Sequence, residues 1–231
     1  MNKKIQFPIL LASALLFAGC TTTPQFQSGP DAELTHDGLT RVDKTIMDVV
    51  WARTDIDLTT YSKIRFKAVG VEYRPVKGPY SGRAGTGSTK RPMQDEFALN
   101  EDQKKQVAEE IGSAFLEELA RSDAYELVDE SGPDVLTLYV GLLDVVSRVP
   151  PDSVGRSIVL LDSVGEATLL MELRDSMSDA IYLRAVDRRA AADIFEMTRS
   201  TPVSNRAEVR RLGRYWAGLV RDGLEKLIVK E

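Results

Sequence analysis

Two stretches on either side of one short turn constrain the fold most, because apolar residues recur at every second position in both. Residues 167–174 and 180–188 flank the polar turn 175–179. A period of two places alternate side chains on one face of a strand. The pattern predicts a β-hairpin with one buried and one solvated face. The buried positions are Leu169, Met171, Leu173, Ile181, Leu183 and Ala185.

Three more segments are predicted to be strands. Residues 61–73 alternate until Ala68, where the phase shifts, so we expect either a β-bulge there or an element buried on both faces. Residues 125–129 form a short strand. Residues 135–149 carry almost no charge before Asp144, which is typical of a strand in the middle of a sheet.

Two helices complete the predicted elements. Asn100 and Gln103 have the spacing of a capping box, and apolar residues recur every four positions after them. A second capping box, Asn205 with Glu208, predicts a last helix after Pro202. The order β-α-β-β-β-β-α predicts an α+β fold. We expect an antiparallel or mixed sheet of about five strands with both helices on one face.

Charge and rare residues narrow the function. The 231 residues carry a net charge of −5, which argues against a general nucleic-acid binder, because that function needs a basic surface. One cysteine and one histidine leave little for metal binding. No serine lies in a nucleophile motif, and His36 lies in a polar stretch. We therefore expect a protein without cofactor or enzymatic activity.

The N-terminus has the pattern of a secretion signal. Lys3 and Lys4 precede an uncharged run that is too short to span a bilayer. The run ends in LFAGC, which resembles the lipobox of bacterial lipoproteins and predicts lipid attachment at Cys20. The residue after Cys20 is Thr21 and not an aspartate. This resembles the pattern of lipoproteins that are sent on to the outer membrane. The alternative is a leader cut elsewhere, with Cys20 in the core.

These features divide the chain into three parts. Residues 1–19 are predicted to be the signal peptide, residues 20–36 the lipidated N-terminus with a flexible tether, and residues 37–231 a single domain. We expect an outer-membrane protein whose domain faces the periplasm. The lipid would hold it there without a transmembrane helix.

Two segments are candidate contact surfaces. The loop 74–99 is rich in glycine, proline and serine. It does not match a phosphate-binding loop, since two residues separate Gly87 from Lys90. It is either a solvated loop or a contact for an anionic partner such as a glycan. The apolar segment 157–161 is either one more strand or an exposed tip. The basic residues of the loop are Arg74, Lys77, Arg83, Lys90 and Arg91.

Other charged residues are assigned to solvent-facing positions. Arg206 and its neighbouring arginines belong to the solvated face of the last helix, with a partner groove as the alternative. The charged residues after the hairpin turn are interpreted as strand-edge charges that discourage edge pairing. They are Arg184, Asp187, Arg188 and Arg189.

Several segments resemble a family of uncharacterised proteobacterial lipoproteins, a domain of unknown function. The matching pieces include DLTTYSKIRFKAVGV, GPDVLTLYVGLLDV and the hairpin at 167–191, and together they cover most of residues 37–228. The resemblance implies a periplasm-facing α/β domain on an outer-membrane lipid anchor, with no assigned activity. The architecture is also similar to small lipoproteins that dock on envelope machines, which is an analogy of fold alone.

The expected function is therefore a non-enzymatic binding or assembly module. Its partner would be an envelope protein or peptidoglycan, reached from the inner face of the outer membrane. One alternative is a carboxylate-based enzyme of cell-wall glycan, which would need an acid with a raised pKa in a cleft. Another is a structural subunit of a secretion or transport assembly.

Overall fold

The computed structural model describes residues 23–76, 96–150, 159–192 and 198–228. Eight strands form one sheet in the order β1-β2-β3-β9-β8-β6-β4-β5, and β7 pairs with β10 apart from it. The helices are α1 (Glu101–Leu119) and α2 (Pro202–Ile228). The strands are β1 (Gln25–Phe26), β2 (Thr40–Asp43), β3 (Val49–Ala52), β4 (Lys63–Tyr73), β5 (Glu126–Leu127), β6 (Val135–Ser147), β7 (Leu160–Leu161), β8 (Gly165–Asp175), β9 (Ile181–Ala191) and β10 (Thr198–Arg199).

The α+β class is confirmed, and the sheet is mixed. The hairpin of β8 and β9 forms around the predicted turn, and β6 lies mid-sheet between β8 and β4. The β4 strand runs parallel to both β6 and β5, while the other pairs are antiparallel. The expected number of about five strands was wrong. The strands β1 to β3 were missed because two to four residues carry too little periodicity.

The register of the long strands shifts at four points in the described residues, between β4 and β6 (twice), β6 and β8, and β8 and β9. The predicted bulge in β4 is confirmed, since its register with β6 shifts between Ala68 and Gly70. A second bulge lies in β6, where the register with β8 shifts between Leu143 and Val146. Inside it, Asp144 has a positive φ of 51°. An extra residue at such a point bends the strand and re-aims its side chains.

The first helix begins as predicted and the second does not. Asn100 caps α1 and exchanges hydrogen bonds with Gln103 as a capping box. The α2 helix starts at Pro202, three residues before the predicted cap Asn205. Thr201 and Ser204 satisfy each other's backbone N–H groups there. Proline is favoured at the first helical position because its missing N–H needs no partner there.

Both helices cover one face of the sheet and share its core. Ile111 and Phe115 of α1 and Trp216 of α2 join the inward residues of β6 and β8 in one cluster. The helices run in the same direction, because Arg210 pairs with Glu110 and Arg221 with Glu118. These arginines therefore link the two helices and do not form the purely solvated face that the sequence suggested.

The helices approach most closely at Gly213. A Cβ atom there would lie 2.9 Å from the Cβ of Ala114 and 3.2 Å from Cδ1 of Ile111. Contacts below 3 Å between carbon atoms are repulsive, so only glycine fits between the helices without displacing one of them. The contact therefore sets where α2 crosses α1.

The assignment to a sheet edge is wrong for Arg184, which pairs with Trp51 of β3, and for the buried Asp187. Arg188 and Arg189, in contrast, lie beyond the β3 pairing, which ends at Val186. The β9 strand lies between β3 and β8, inside the sheet. Asp187 is completely buried, and its carboxylate accepts hydrogen bonds from Trp216 Nε1 at 2.8 Å and Arg189 Nε at 2.6 Å. The backbone N–H of Asp48 donates a third, at 3.2 Å. These three hydrogen bonds replace the ones that water would make to the carboxylate. A buried carboxylate requires such partners.

Replacing Gly213 with alanine tests the close contact. We expect Gly213→Ala to lower the free energy of unfolding by about 1–3 kcal/mol, because the added methyl group forces the helices apart. Urea denaturation measures the change. Gly218→Ala on the same helix is the matched control, since nothing lies within 4 Å of a Cβ there. It should be neutral or stabilising by up to about 1 kcal/mol through helix propensity. Equal shifts in both variants would contradict the contact.

Candidate functional site

A cleft of about 370 Å³ lies between the N-terminal halves of the two helices and the sheet. Most of its lining residues are aliphatic, and they come from both helices, from the strands β6, β8, β9 and β10, and from the adjoining loops. Ligand sites in proteins have volumes of about 300–1,000 Å³, so the cleft is at the small end of that range. Its apolar wall includes Val107, Ile111, Leu142, Val145, Val164 and Val209.

The cleft exists because the helices contact the sheet unequally along their length. Ala114 and Phe115, near the crossing at Gly213, are completely buried. One to two turns earlier, Val107 of α1 and Val209 of α2 are only half-buried. The bulge in β6 contributes as well, because Val145 follows Asp144 and lines the cleft. Apolar side chains are thus only partly covered at this end of the core.

The acidic residues of the rim are neutralised. Arg210 Nη1 lies 3.0 Å from Glu110 Oε2. Glu166 pairs with both Arg148 and Arg188. The Arg148 hydrogen bond, helped by Arg188, outweighs desolvation and lowers the pKa of the Glu166 carboxyl below its ordinary value. Both carboxylates are therefore engaged by arginines of the fold.

Two basic residues of the rim are not neutralised in the same way. Arg199 of β10 and Arg206 of α2 both line the cleft. Among the described residues, neither guanidinium has a carboxylate within salt-bridge distance. Arg206 donates one hydrogen bond, from Nε to the carbonyl oxygen of Pro202 at 3.2 Å. Within the described residues, the cleft thus combines apolar walls with two guanidinium groups at its rim that form no salt bridge.

The opposite face of the sheet carries charges that compensate one another. Arg184 donates to Asp37 at 2.8 Å and to Glu172 at 2.7 Å. Hydrogen bonding by Thr35, and then by Arg184, outweighs desolvation and lowers the pKa of Asp37 to about 2. Arg174 also pairs with Glu172 and stacks over the ring of Tyr139. This face holds its charged groups to one another, which leaves fewer of them for a ligand.

The predicted basic loop has only one described member. Arg74 binds Asp144 Oδ1 through Nε at 2.7 Å and Glu96 Oε1 through Nη1 at 2.6 Å. These hydrogen bonds raise the pKa of Arg74 above its ordinary value and engage its guanidinium within the domain. The other four residues lie outside the described residues, and so does the lipid-attachment candidate Cys20. The four are Lys77, Arg83, Lys90 and Arg91.

The apolar segment 157–161 contributes a strand. Leu160 and Leu161 form β7 and pair with Thr198 and Arg199 of β10. Leu161 packs on the core, whereas the Leu160 side chain is 52% exposed. Residues 157 and 158 lie outside the described part of the chain. The strand interpretation therefore holds for the two leucines, and one of them still presents an apolar surface.

Sequence reasoning missed the cleft. Val107 and Val209 belong to apolar helix stripes, which are explained by core packing alone. Arg199 was not singled out, and Arg206 was placed on a solvated helix face. Arg206 lies one turn into α2, three positions before Val209. This pair indicates a cleft only when the position of α1 beside it is known.

No metal site or membrane span is present in the parts of the chain that the structure describes. Within them, no three histidine, cysteine, aspartate or glutamate side chains are grouped so that they could hold a metal ion. Of the two described helices, neither is long and apolar enough to cross a bilayer. The cleft is thus the feature of the described residues that best suits a ligand.

Solved structures with a similar arrangement are distant. The PelC dodecamer from Paraburkholderia phytofirmans is 9% identical, with a TM-score of 0.33, and covers 79% of this chain and 98% of its own. The protein XCC0632 from Xanthomonas campestris is 12% identical, with a TM-score of 0.36, and covers 74% and 91%. A homologue of a neuraminyllactose-binding hemagglutinin from Helicobacter pylori is 12% identical, with a TM-score of 0.33, and covers 74% and 87%. These likenesses are too weak to transfer a function.

Sequence comparison gives a clearer result. A search of curated proteins finds no similar sequence at the significance required. A protein family, however, matches residues 33–220, which is most of the chain and includes every element that lines the cleft. The uncharacterised family expected from the sequence is thereby confirmed. The chain belongs to the family described as "Protein of unknown function (DUF3313)".

Proposed function

We propose that the protein is a non-enzymatic binding module, carried on an outer-membrane lipid anchor at Cys20 and facing the periplasm. Its cleft takes up an apolar group of the ligand or partner. The observation that carries this proposal is the set of aliphatic side chains left half-buried between α1 and α2. The anchor rests on the lipobox alone.

Apolar surface inside a concave site favours binding. Each Å² of apolar surface removed from water contributes about 25 cal/mol, and a cleft lets a ligand cover several side chains at once. Within the described residues, core packing leaves Val107 and Val209 only partly covered. Occupying the cleft would cover them without moving the helices, which are fixed by the contact at Gly213.

The rim carboxylates support binding over catalysis. A general acid on a glycan needs a carboxyl group whose pKa is raised toward neutral pH. In contrast, the pKa of Glu166 is lowered by Arg148 and Arg188. Glu110 is held by Arg210. With its pKa lowered, Glu166 is not set up to release a proton to a sugar oxygen at neutral pH.

The cleft also favours one kind of partner. A bare peptidoglycan strand presents hydroxyl and amide groups, which would lose their water against Val107, Val145 and Val209 without gaining hydrogen bonds. An envelope protein with an exposed apolar segment, or a lipid-like molecule, presents a surface that gains from burial. The proposed ligand is therefore an apolar group of an envelope component.

The chain path brings the domain close to the proposed anchor. The β1 strand starts at Gln25 and pairs with Val42 and Asp43 at the edge of the sheet. Gln25 is five positions after Cys20, and a fully extended chain spans at most about 3.5 Å per residue. A lipid on Cys20 would hold this edge within about 18 Å of the bilayer surface. The strand lies in the segment 20–36 that the sequence assigned to a tether.

Removing the proposed lipid site tests the anchor. We expect Cys20→Ala to move the protein from the outer-membrane fraction to the soluble periplasm, because no acyl chain would be attached. Cell fractionation with a carbonate wash measures the distribution. Thr21→Ala is the matched control and should stay in the membrane fraction. Retention of Cys20→Ala in the outer membrane would show that the anchoring assignment is wrong.

Filling the cleft tests the binding site. N-phenyl-1-naphthylamine, a neutral apolar dye, should bind the wild-type domain saturably and gain fluorescence. Val209→Phe should abolish most of this signal, because the ring occupies the volume between the helices. Ala207→Phe adds the same ring at an exposed position of α2 that does not line the cleft. It should bind the dye like the wild type.

Circular dichroism of both variants controls for folding. Equal dye binding by the wild type, Val209→Phe and Ala207→Phe would contradict the assignment of the cleft, as would the absence of saturable binding to the wild type.

A further inference from the structure

We infer that the cleft binds a single-chain anionic amphiphile, with the acyl chain between the helices and the acidic head group at Arg199 and Arg206. This inference rests on the proposed function and names its ligand class. It combines three independent observations: the shape and polarity of the cleft, the charge of its rim, and the exposed apolar side chains beside it.

The interior of the cleft suits one hydrocarbon chain. The lining of α1, β6 and α2 is aliphatic at Ile111, Leu142 and Leu212, which are all buried. The volume of about 370 Å³ is at the lower end for ligand sites, which favours a single chain over a two-chain lipid.

The rim selects the sign of the head group. Glu110 and Glu166 are both neutralised by arginines within the fold. Among the described residues, Arg199 and Arg206 have no carboxylate partner, and both line the cleft. An anion at the opening would therefore meet two uncompensated guanidinium groups. Arginine is suited to bind carboxylate and phosphate because its N–H donors match their oxygens in pairs.

Amide side chains at the same rim could serve the head group as well. Gln106 of α1 is exposed and lines the cleft. Asn205 of α2 also lines it and donates from Nδ2 to Ser200 Oγ at 3.1 Å. These neutral groups add hydrogen-bonding capacity without adding negative charge, so the local balance stays positive on a chain whose net charge is −5.

Exposed apolar side chains continue the cleft outward. Leu160 follows the lining residue Val159, and its side chain is 52% exposed. Val203 follows the lining residue Pro202 and is 71% exposed. Exposed apolar groups next in the chain to residues of the cleft favour a ligand that reaches beyond the cleft. An acyl chain longer than the cleft has that property.

Displacement of N-phenyl-1-naphthylamine by simple amphiphiles tests the inference. Dodecanoate should displace the dye more tightly than dodecanol, and dodecyltrimethylammonium should be weakest. Affinity should rise about fourfold for each methylene added from octanoate to dodecanoate, as expected for burial of one CH₂ group. The double variant Arg199→Gln/Arg206→Gln should lose about tenfold in dodecanoate affinity, because charge-assisted hydrogen bonds are removed. Its affinity for dodecanol should stay unchanged.

A matched double variant controls for the loss of charge. Arg214→Gln/Arg121→Gln removes two arginines whose side chains are 52% and 67% exposed and which do not line the cleft. It should bind dodecanoate like the wild type. The inference is overturned if dodecanoate and dodecanol bind the wild type equally, or if the two double variants behave alike. Saturable dye binding in that case would still support the proposed function.

A third arm distinguishes the sources of the anion. A free fatty acid and a lysophospholipid both combine one acyl chain with an anionic head group. Dye displacement by dodecanoate is therefore compared with displacement by lauroyl-lysophosphatidylglycerol. Dependence of either ligand on the two rim arginines supports the inference, and the tighter one identifies the head group. Displacement of the dye by an envelope protein but by none of the amphiphiles would overturn it.

Discussion

The buried carboxylate of Asp187 holds the last helix on the sheet. It accepts hydrogen bonds from the indole of Trp216, from Arg189 and from the backbone of Asp48. These groups belong to α2, to β9 and to the turn before β3, so one side chain joins three elements. A charge without water is costly unless it is paired and fully hydrogen-bonded. The helix is thereby tied to one position over the sheet, with Trp216 completely buried beneath it.

The cleft follows from that fixed position. Trp216 lies one turn after Gly213, where α2 crosses α1 at the distance that only glycine allows. Packing is tight from the crossing onward and looser before it, where Val107 and Val209 are half-buried. A binding site that adjoins such a rigid contact is preformed, so a ligand need not order the helices as it binds. The tightly packed helix crossing at Gly213 thus defines the shape of the adjoining cleft.

Sequence reasoning succeeded where the signal was local. The hairpin of β8 and β9, the central strand β6, the cap at Asn100 and the bulge after Ala68 all depend on residues close together in the chain. It failed where the partner was remote. Asp187 was read as an edge charge because its donor Asp48 is 139 residues away. The cleft was missed for the same reason, since its width depends on how two helices cross, which no periodicity in either helix specifies.

Methyl-resolved NMR of valine-labelled protein, titrated with dodecanoate, tests the central claim most directly. The account predicts saturable shifts of the methyl groups of Val107, Val145 and Val209, which line the cleft. Val49 and Val186 pair across the opposite face of the sheet and should stay unchanged. Shifts confined to that opposite face, or no saturable shift at any cleft valine, would contradict the assignment of the cleft as the binding site.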